Sequence, residues 1–448
     1  MANSVSKNLM TEGSIPKKII AFAMPLFLGN LFQQLYNTAD SLIVGNYLGS
    51  EALAAVSSSG NLIHLMIGFF NGIAMGAGVI IARYFGAKQE DKVHKAVHTS
   101  VAFGLVAGTA LTVFGMLTTP IILRWMDTPV NVLPQSIAYF RMYFAGALGL
   151  VMYNIFVGIL QATGDSKHPL YYLIFSSVVN VVLDIVFISV FHMGVASAAL
   201  ATIISQFLSS LLCLRLLMKN KECYGVRLKD IRFDWEMLKM IIEYGVPSGV
   251  QNSIIAIANV VVQSNINGFG DMAMAGCGAY SKIEGFAFLP ITSFTMAITT
   301  FVGQNLGARE YERAQKGAKF GMACSMGLAE FVGVVMFILA PVLIGMFNKE
   351  AAVIAFGTGR ARSNALFYFL LAYTHCSSAI LRGAGKSRIP MVVMLLCWCL
   401  VRVSLLSIFV PIFNDIRIVY WVYPLTWTLS SITFYIYMKK HDWVHGFE

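Results

Sequence analysis

A chain of 448 residues that is 57% hydrophobic and only 12% charged departs far from soluble globular domains, in which about a quarter of the residues are charged. That excludes a water-soluble enzyme or binding module as the bulk of the chain. The net charge of +10 does not point to nucleic acid either, because the basic residues alternate between successive loops instead of gathering on one polar face.

Twelve mostly apolar stretches follow one another, at 16–46, 51–82, 93–123, 132–162, 167–191, 194–218, 239–267, 272–303, 313–346, 351–382, 387–411 and 417–438. Each is long enough to cross a hydrocarbon core of about 30 Å at about 1.5 Å per residue. The first is too long for a signal-peptide core and lacks a small-residue cleavage site, so it is expected to stay attached. It carries Pro25, whose missing N–H and bulky ring predict a kink or hinge. Beyond it, Gln33, Tyr36, Asn37 and Asp40 recur at spacings of three or four and share one helix face. The fourth stretch offers Tyr139, the fifth Ser177, Asn180 and Asp184, and the sixth Thr202, Ser205, Gln206 and Ser209. Counted from the outer helix ends, Asp40, Asp184, Thr202 and Tyr139 fall at one depth, roughly 10 to 12 Å below the surface.

A charged stretch, 219–238, follows the sixth span and divides the chain into an N-terminal six-helix lobe (1–218), a cytoplasmic linker and a C-terminal six-helix lobe (239–448). The amphipathic run from Trp235 to Tyr244 is expected at the membrane interface. The seventh stretch carries amides (Gln251, Asn252, Asn259, Gln263), which can line a cavity without titrating. Arg402 and Lys282 stand in apolar surroundings and are predicted to pair with carboxylates or to line a second-half cavity.

The two lobes are repeats. An offset of 221 pairs Gly49 with Gly270, Gly86 and Ala87 with Gly307 and Ala308, Pro120 with Pro341, Arg141 with Arg362, Gly164 with Gly385 and Pro169 with Pro390. Pro25 and Asn30 match Pro247 and Asn252 at 222. Six spans per repeat give both halves the same orientation, related by an axis along the membrane normal. The fold expected is therefore all-α, a polytopic membrane protein of twelve transmembrane helices in two pseudo-symmetric six-helix bundles. The repeat sets Val262 opposite Asp40, Val401 opposite Asn180 and Leu405 opposite Asp184, which confines ion coupling to the first half.

Intramembrane ionisable residues cost about 2.5 to 3.5 kcal/mol on insertion scales and mark function by default. Two carboxylates, an amide and a hydroxyl at one depth supply hard oxygen ligands for a sodium ion, and a carboxylate pair can also hold a proton. Asn180 and Thr202 taken singly read as helix-to-helix glue; the aspartates tip the balance to function. Other motifs fail. Gly383 to Ser387 ends like a phosphate-binding loop, but Ile380 stands where a glycine is required. His94 with His98, and His441 with His445, lack a third ligand in sequence and read as solvated surface. Seven cysteines form no disulfide or zinc spacing, and no HExxH or GxSxG run is present, so no enzyme is expected.

Lys17, Lys18, Arg83, Lys88, Lys92 and the basic linker lie on the side of the N-terminus, whereas the opposite loops hold Arg124, Lys349 and Arg417. This bias predicts both termini in the cytoplasm. With the Pro25 to Asp40 helix, the run GNYLGSEALAA at 45–55, QATGDSKHP at 161–169 and the Asn180/Asp184 pair, the chain resembles the multidrug and toxic compound extrusion (MATE) family over essentially its whole length, and its prokaryotic DinF-like branch in particular. The resemblance implies a cation site on Asp40, Asn180, Asp184 and Thr202, with Tyr36 and Tyr139 nearby in the cavity. Other branches carry acidic residues in second-half helices where Ile255 and Leu371 stand here. The implied activity is antiport: export of amphipathic, often cationic compounds in exchange for Na+ or H+, by a monomer in the inner membrane with no bound cofactor. A lipid-linked oligosaccharide flippase of related fold stays open as the alternative.

Overall fold

The structure, a computed structural model, describes residues 9–48, 50–125 and 133–445; the side chains of 37–42, 44–46, 48, 50–67 and 125 fall outside the described set. The described residues form fifteen α-helices and no strand. In the first half these are α1 (Ile15–Leu48), α2 (Ser50–Gly86), α3 (Glu90–Trp125), α4 (Leu133–Ala145), α5 (Ala147–Ala162), α6 (Lys167–Asp184) and α7 (Ala196–Lys219). In the second they are α8 (Trp235–Asn267), α9 (Asp271–Gly307), α10 (Tyr311–Gly345), α11 (Ala351–Asn364), α12 (Tyr368–Gly383), α13 (Arg388–Met394), α14 (Arg402–Phe413) and α15 (Ile416–Lys440).

Twelve expected spans become fifteen helices because three are broken. α4 and α5 bend by 46° at Gly146. A 3-10 turn, Ala365–Phe367, joins α11 to α12, and a π-helical segment, Leu395–Val401, joins α13 to α14. A second π segment, Ile185–Val190, extends α6. Ten stretches are long and apolar enough to cross a membrane, eleven when the bent pair counts as one. α15 is long enough at 25 residues but less apolar, since its buried face carries Thr426, Ser430 and Ser431.

Burial runs opposite to that of a soluble protein. Asn180, Asp184, Gln206, Arg360 and Arg402 are buried, while Leu117, Ile338 and Val342 are 65 to 70% exposed. Lipid solvates such apolar faces and leaves polar groups to find partners inside the bundle.

The chain packs as two compact units: Leu28–Gly249 belongs to the first, Met10–Phe27 with Val250–Glu448 to the second. In the first unit α3, α4, α5 and α7 surround Val97, Phe140, Phe144, Phe156 and Ile159. The start of α8 crosses α2 at two glycine pairs. A Cβ on Gly72 would lie 2.1 Å from the Gly249 nitrogen, and one on Gly76 2.4 Å from the Gly245 Cα, so the two backbones touch as in a small-xxx-small crossing.

The polar linker is clasped to α3. The Asp234 N–H donates to Thr99 Oγ1 at 3.1 Å and the Lys95 ammonium lies 3.4 Å from its carboxylate. That carboxylate also accepts from the Met237 N–H at 3.1 Å, capping α8 and holding the Asp234 carboxyl below its usual range. His94 lies 3.2 Å from Asp230, a third group that sequence spacing did not reveal. His98, however, donates from Nδ1 to the His94 carbonyl and accepts at Nε2 from the Arg227 N–H, which occupies the lone pair a metal would need. The cluster ties linker to helix. Asp234→Ala is expected to cost about 1 kcal/mol, as caps do. Because the folded pKa is depressed, this contribution is present above the unfolded carboxyl pKa and disappears as pH falls through the folded one. Thermal unfolding of wild type and D234A should therefore differ at pH 7 and converge in acid.

In the second unit α9 to α15 pack around Tyr280, Tyr368, Leu371, Trp427 and Phe434. The N-terminal segment joins them: Ile19, Phe22, Ala23 and Leu26 meet Phe294, Ala297 and Phe301. The Met10 N–H donates to Gln304 Oε1 at 2.9 Å, and the Arg313 guanidinium donates to the carbonyls of Met10, Glu12 and Gly13. α1 thus begins in one unit and ends in the other, as does α8. The two change-overs, after Phe27 and after Gly249, lie two residues beyond Pro25 and Pro247.

Candidate functional site

The first-half site is built on α6 and α7. Asn180 and Asp184 are one helical turn apart on the same face of α6, 2% and 0% exposed. The Asn180 Nδ2 donates to Thr202 Oγ1 of α7 at 3.4 Å, and Thr202 in turn donates to the Ala198 carbonyl at 3.0 Å. Ser205 donates to the carbonyls of Ala201 and Thr202 one turn further on. With its amide nitrogen engaged, Asn180 leaves its Oδ1 buried with no hydrogen-bond partner among the described residues, an acceptor kept for something else. The π segment begins directly after Asp184, and such segments often occur at functional sites.

Tyr139 is buried on α4, its ring centroid 6.3 Å from that of Tyr143. Tyr36 lies on α1 and is half-buried. Gln33 is exposed. Asn37 and Asp40 belong to the helical course of α1, but their side chains lie outside the described residues. Pro25 sits inside α1 at the end of the segment that packs in the second unit.

The second unit holds an ionisable cluster that sequence spacing did not assemble. Glu284 of α9, Arg360 of α11 and Arg402 of α14 line one cavity of about 340 Å³, together with Phe288, His375, Trp398, Tyr423 and Trp427. Arg402 is 1% and Arg360 4% exposed. Arg402 donates to Thr426 Oγ1 at 2.8 Å and Arg360 to the Tyr423 hydroxyl at 3.2 Å. Both guanidinium carbons stack on the Tyr423 ring, that of Arg402 4.5 Å and that of Arg360 5.2 Å from its centroid. Glu284 accepts from the Tyr280 hydroxyl at 2.9 Å, and Tyr280 pairs with the Tyr368 hydroxyl at 2.7 Å. Arg402 lines a second-half cavity, as expected; Lys282 does not, being exposed and without an ion pair among the described residues.

The register opposite Asn180 also needs correction. The offset is 221 through Pro169 and Pro390, but the π segment Leu395–Val401 adds a residue to its helix. The partners then become Arg402 for Asn180 and Leu406 for Asp184, and burial agrees: both are fully buried, whereas Val401 and Leu405 are only half-buried. A cation therefore stands in the second half where the first half has an amide.

A polytopic helical bundle whose halves repeat, with buried ionisable residues in each half, is the architecture of membrane transporters. The MatE family model matches residues 25–186 and again 247–408, two stretches whose ends are 222 residues apart and which together cover most of the chain. This chain belongs to the MatE family, whose members are transporters. It is 29% identical over 402 residues to the probable multidrug resistance protein YpnP of Bacillus subtilis (strain 168), covering 89% of each chain. It is 26% identical to the probable multidrug resistance protein NorM of Thermotoga maritima, over 88% of this chain and 86% of that one. In fold it matches a solved MOP-superfamily transporter from Pyrococcus furiosus with a TM-score of 0.92, at 24% identity and 98% coverage of both chains.

Proposed function

We propose that this protein is a secondary active antiporter of the cytoplasmic membrane, both termini inside, that exports amphipathic, cationic small molecules in exchange for Na+ or H+ by alternating access. The observation that carries the reading is the buried pair Asn180 and Asp184 beside the half-buried Thr202, with an amide oxygen left without a partner among the described residues. Sodium takes oxygen ligands of this kind, and a protonated carboxyl would satisfy the same acceptor. Asp40, four turns or so along α1 from Pro25, is assigned as the fourth ligand by the family resemblance, with Tyr36, Asn37, Tyr139 and Gln33 toward the cavity. The names of the relatives support a multidrug cargo. The protein acts as a monomer, without a cofactor and without catalytic chemistry.

The test is efflux of a fluorescent lipophilic cation from vesicles containing the purified protein, with sodium and pH gradients imposed separately. Efflux driven by one gradient and absent without any is the expected result. Efflux indifferent to both gradients would reduce the protein to a facilitator or channel.

A further inference from the structure

We propose that the second-half cavity is a binding site for a small aromatic carboxylate, separate from the first-half site and independent of how that site is coupled. Two guanidiniums face one carboxylate there, so the cavity wall carries an uncompensated positive charge in surroundings where charge is expensive. Among the described residues neither Arg360 nor Arg402 forms an ion pair, and the Nε of each is buried with no hydrogen-bond partner. Arginine's fixed fork of donors matches a carboxylate. Glu284 supplies a single negative charge against the two guanidiniums and accepts from the Tyr280 hydroxyl, so one positive charge stays unbalanced.

The size and lining argue for an aromatic anion over an inorganic ion. At about 340 Å³ the space is roughly ten times a water molecule's share of liquid volume and falls in the range of small-molecule pockets. Phe288, Trp398, Tyr423 and Trp427 supply flat apolar walls on which a ring can pack. Ile255, Val262 and Leu371 add apolar wall, and Asn259, Gln263 and Ser281 add uncharged polar groups, so Glu284 is the one acid in the lining.

Equilibrium dialysis of 2-naphthoate against the purified protein in phosphatidylcholine nanodiscs tests this, with 2-naphthamide and 2-naphthylmethylammonium as neutral and cationic isosteres. Naphthoate should bind saturably, one per chain, at least about tenfold more tightly than either isostere, a difference of about 1.4 kcal/mol. Arg402→Gln should weaken it at least tenfold while R402K retains part of the affinity. Glu284→Gln should strengthen it, a gain that mere loss of folding cannot imitate. Because the isostere comparison uses wild type alone, it stands even if R402Q does not fold. Equal binding of the three naphthyl compounds, chloride binding that naphthoate does not displace, or weaker naphthoate binding in a folded E284Q would each overturn the proposal.

Discussion

Asp184→Asn is expected to abolish gradient-driven export while leaving the protein folded. The side chain is isosteric and fully buried, so packing is preserved, but a neutral amide can neither carry a proton nor balance a sodium ion. One charge moving through 100 mV supplies about 2.3 kcal/mol, enough to hold a cargo gradient of roughly forty-fold at about 1.4 kcal/mol per decade. In vesicles carrying D184N the steady-state gradient should fall from that order to unity, and D40N should do the same. Retention of half or more of the wild-type gradient by both variants would remove the carboxylates from the coupling site. Competition of sodium and protons for one site, as proposed, requires that sodium affinity measured by calorimetry fall as pH falls in wild type and that this dependence vanish in D184N.

Gly72→Ala and Gly76→Ala should be among the most destabilising single-methyl additions anywhere in the chain. At both positions the added carbon meets backbone, at 2.1 and 2.4 Å, and backbone cannot rotate away as a side chain can. Ordinary overpacking costs about 1 to 3 kcal/mol; here the α2–α8 crossing must open, and the loss should exceed about 3 kcal/mol. Gly278→Ala is the matched control: nothing lies within 4 Å of its added carbon, and the change should stay within about 0.5 kcal/mol. Thermal midpoints in detergent, read by size exclusion, compare the three. A G72A midpoint equal to that of G278A would mean that the two helices do not touch.

The length and apolar character of the spans made the helical course legible, because crossing lipid leaves a chain few alternatives. The breaks were not. Gly146 looks like any small residue in an apolar run, and a π segment is a backbone event with no compositional signature at Leu395–Val401; missing it put Val401 where Arg402 belongs. The stripe of Asn180 and Asp184 could be read from spacing alone, since both lie on one helix. Glu284, Arg360 and Arg402 come from three helices, and no local spacing relates them. Arg402 alone was legible as a cavity residue, from its place inside an apolar run; that Glu284 and Arg360 meet it follows only from the packing of their helices.

The exchange of leading segments between the units has a consequence for biogenesis. Met10–Phe27 packs with residues that begin at Val250, more than 220 positions downstream. At about 5 to 20 residues per second of synthesis, roughly 10 to 45 s separate the emergence of the two. Through that interval the first helix must stand in the bilayer without the partners of its leading half. A helix can do so because its backbone is satisfied internally. The Met10 and Gly13 carbonyls, which precede the helix, can stay hydrated until Arg313 is made to receive them.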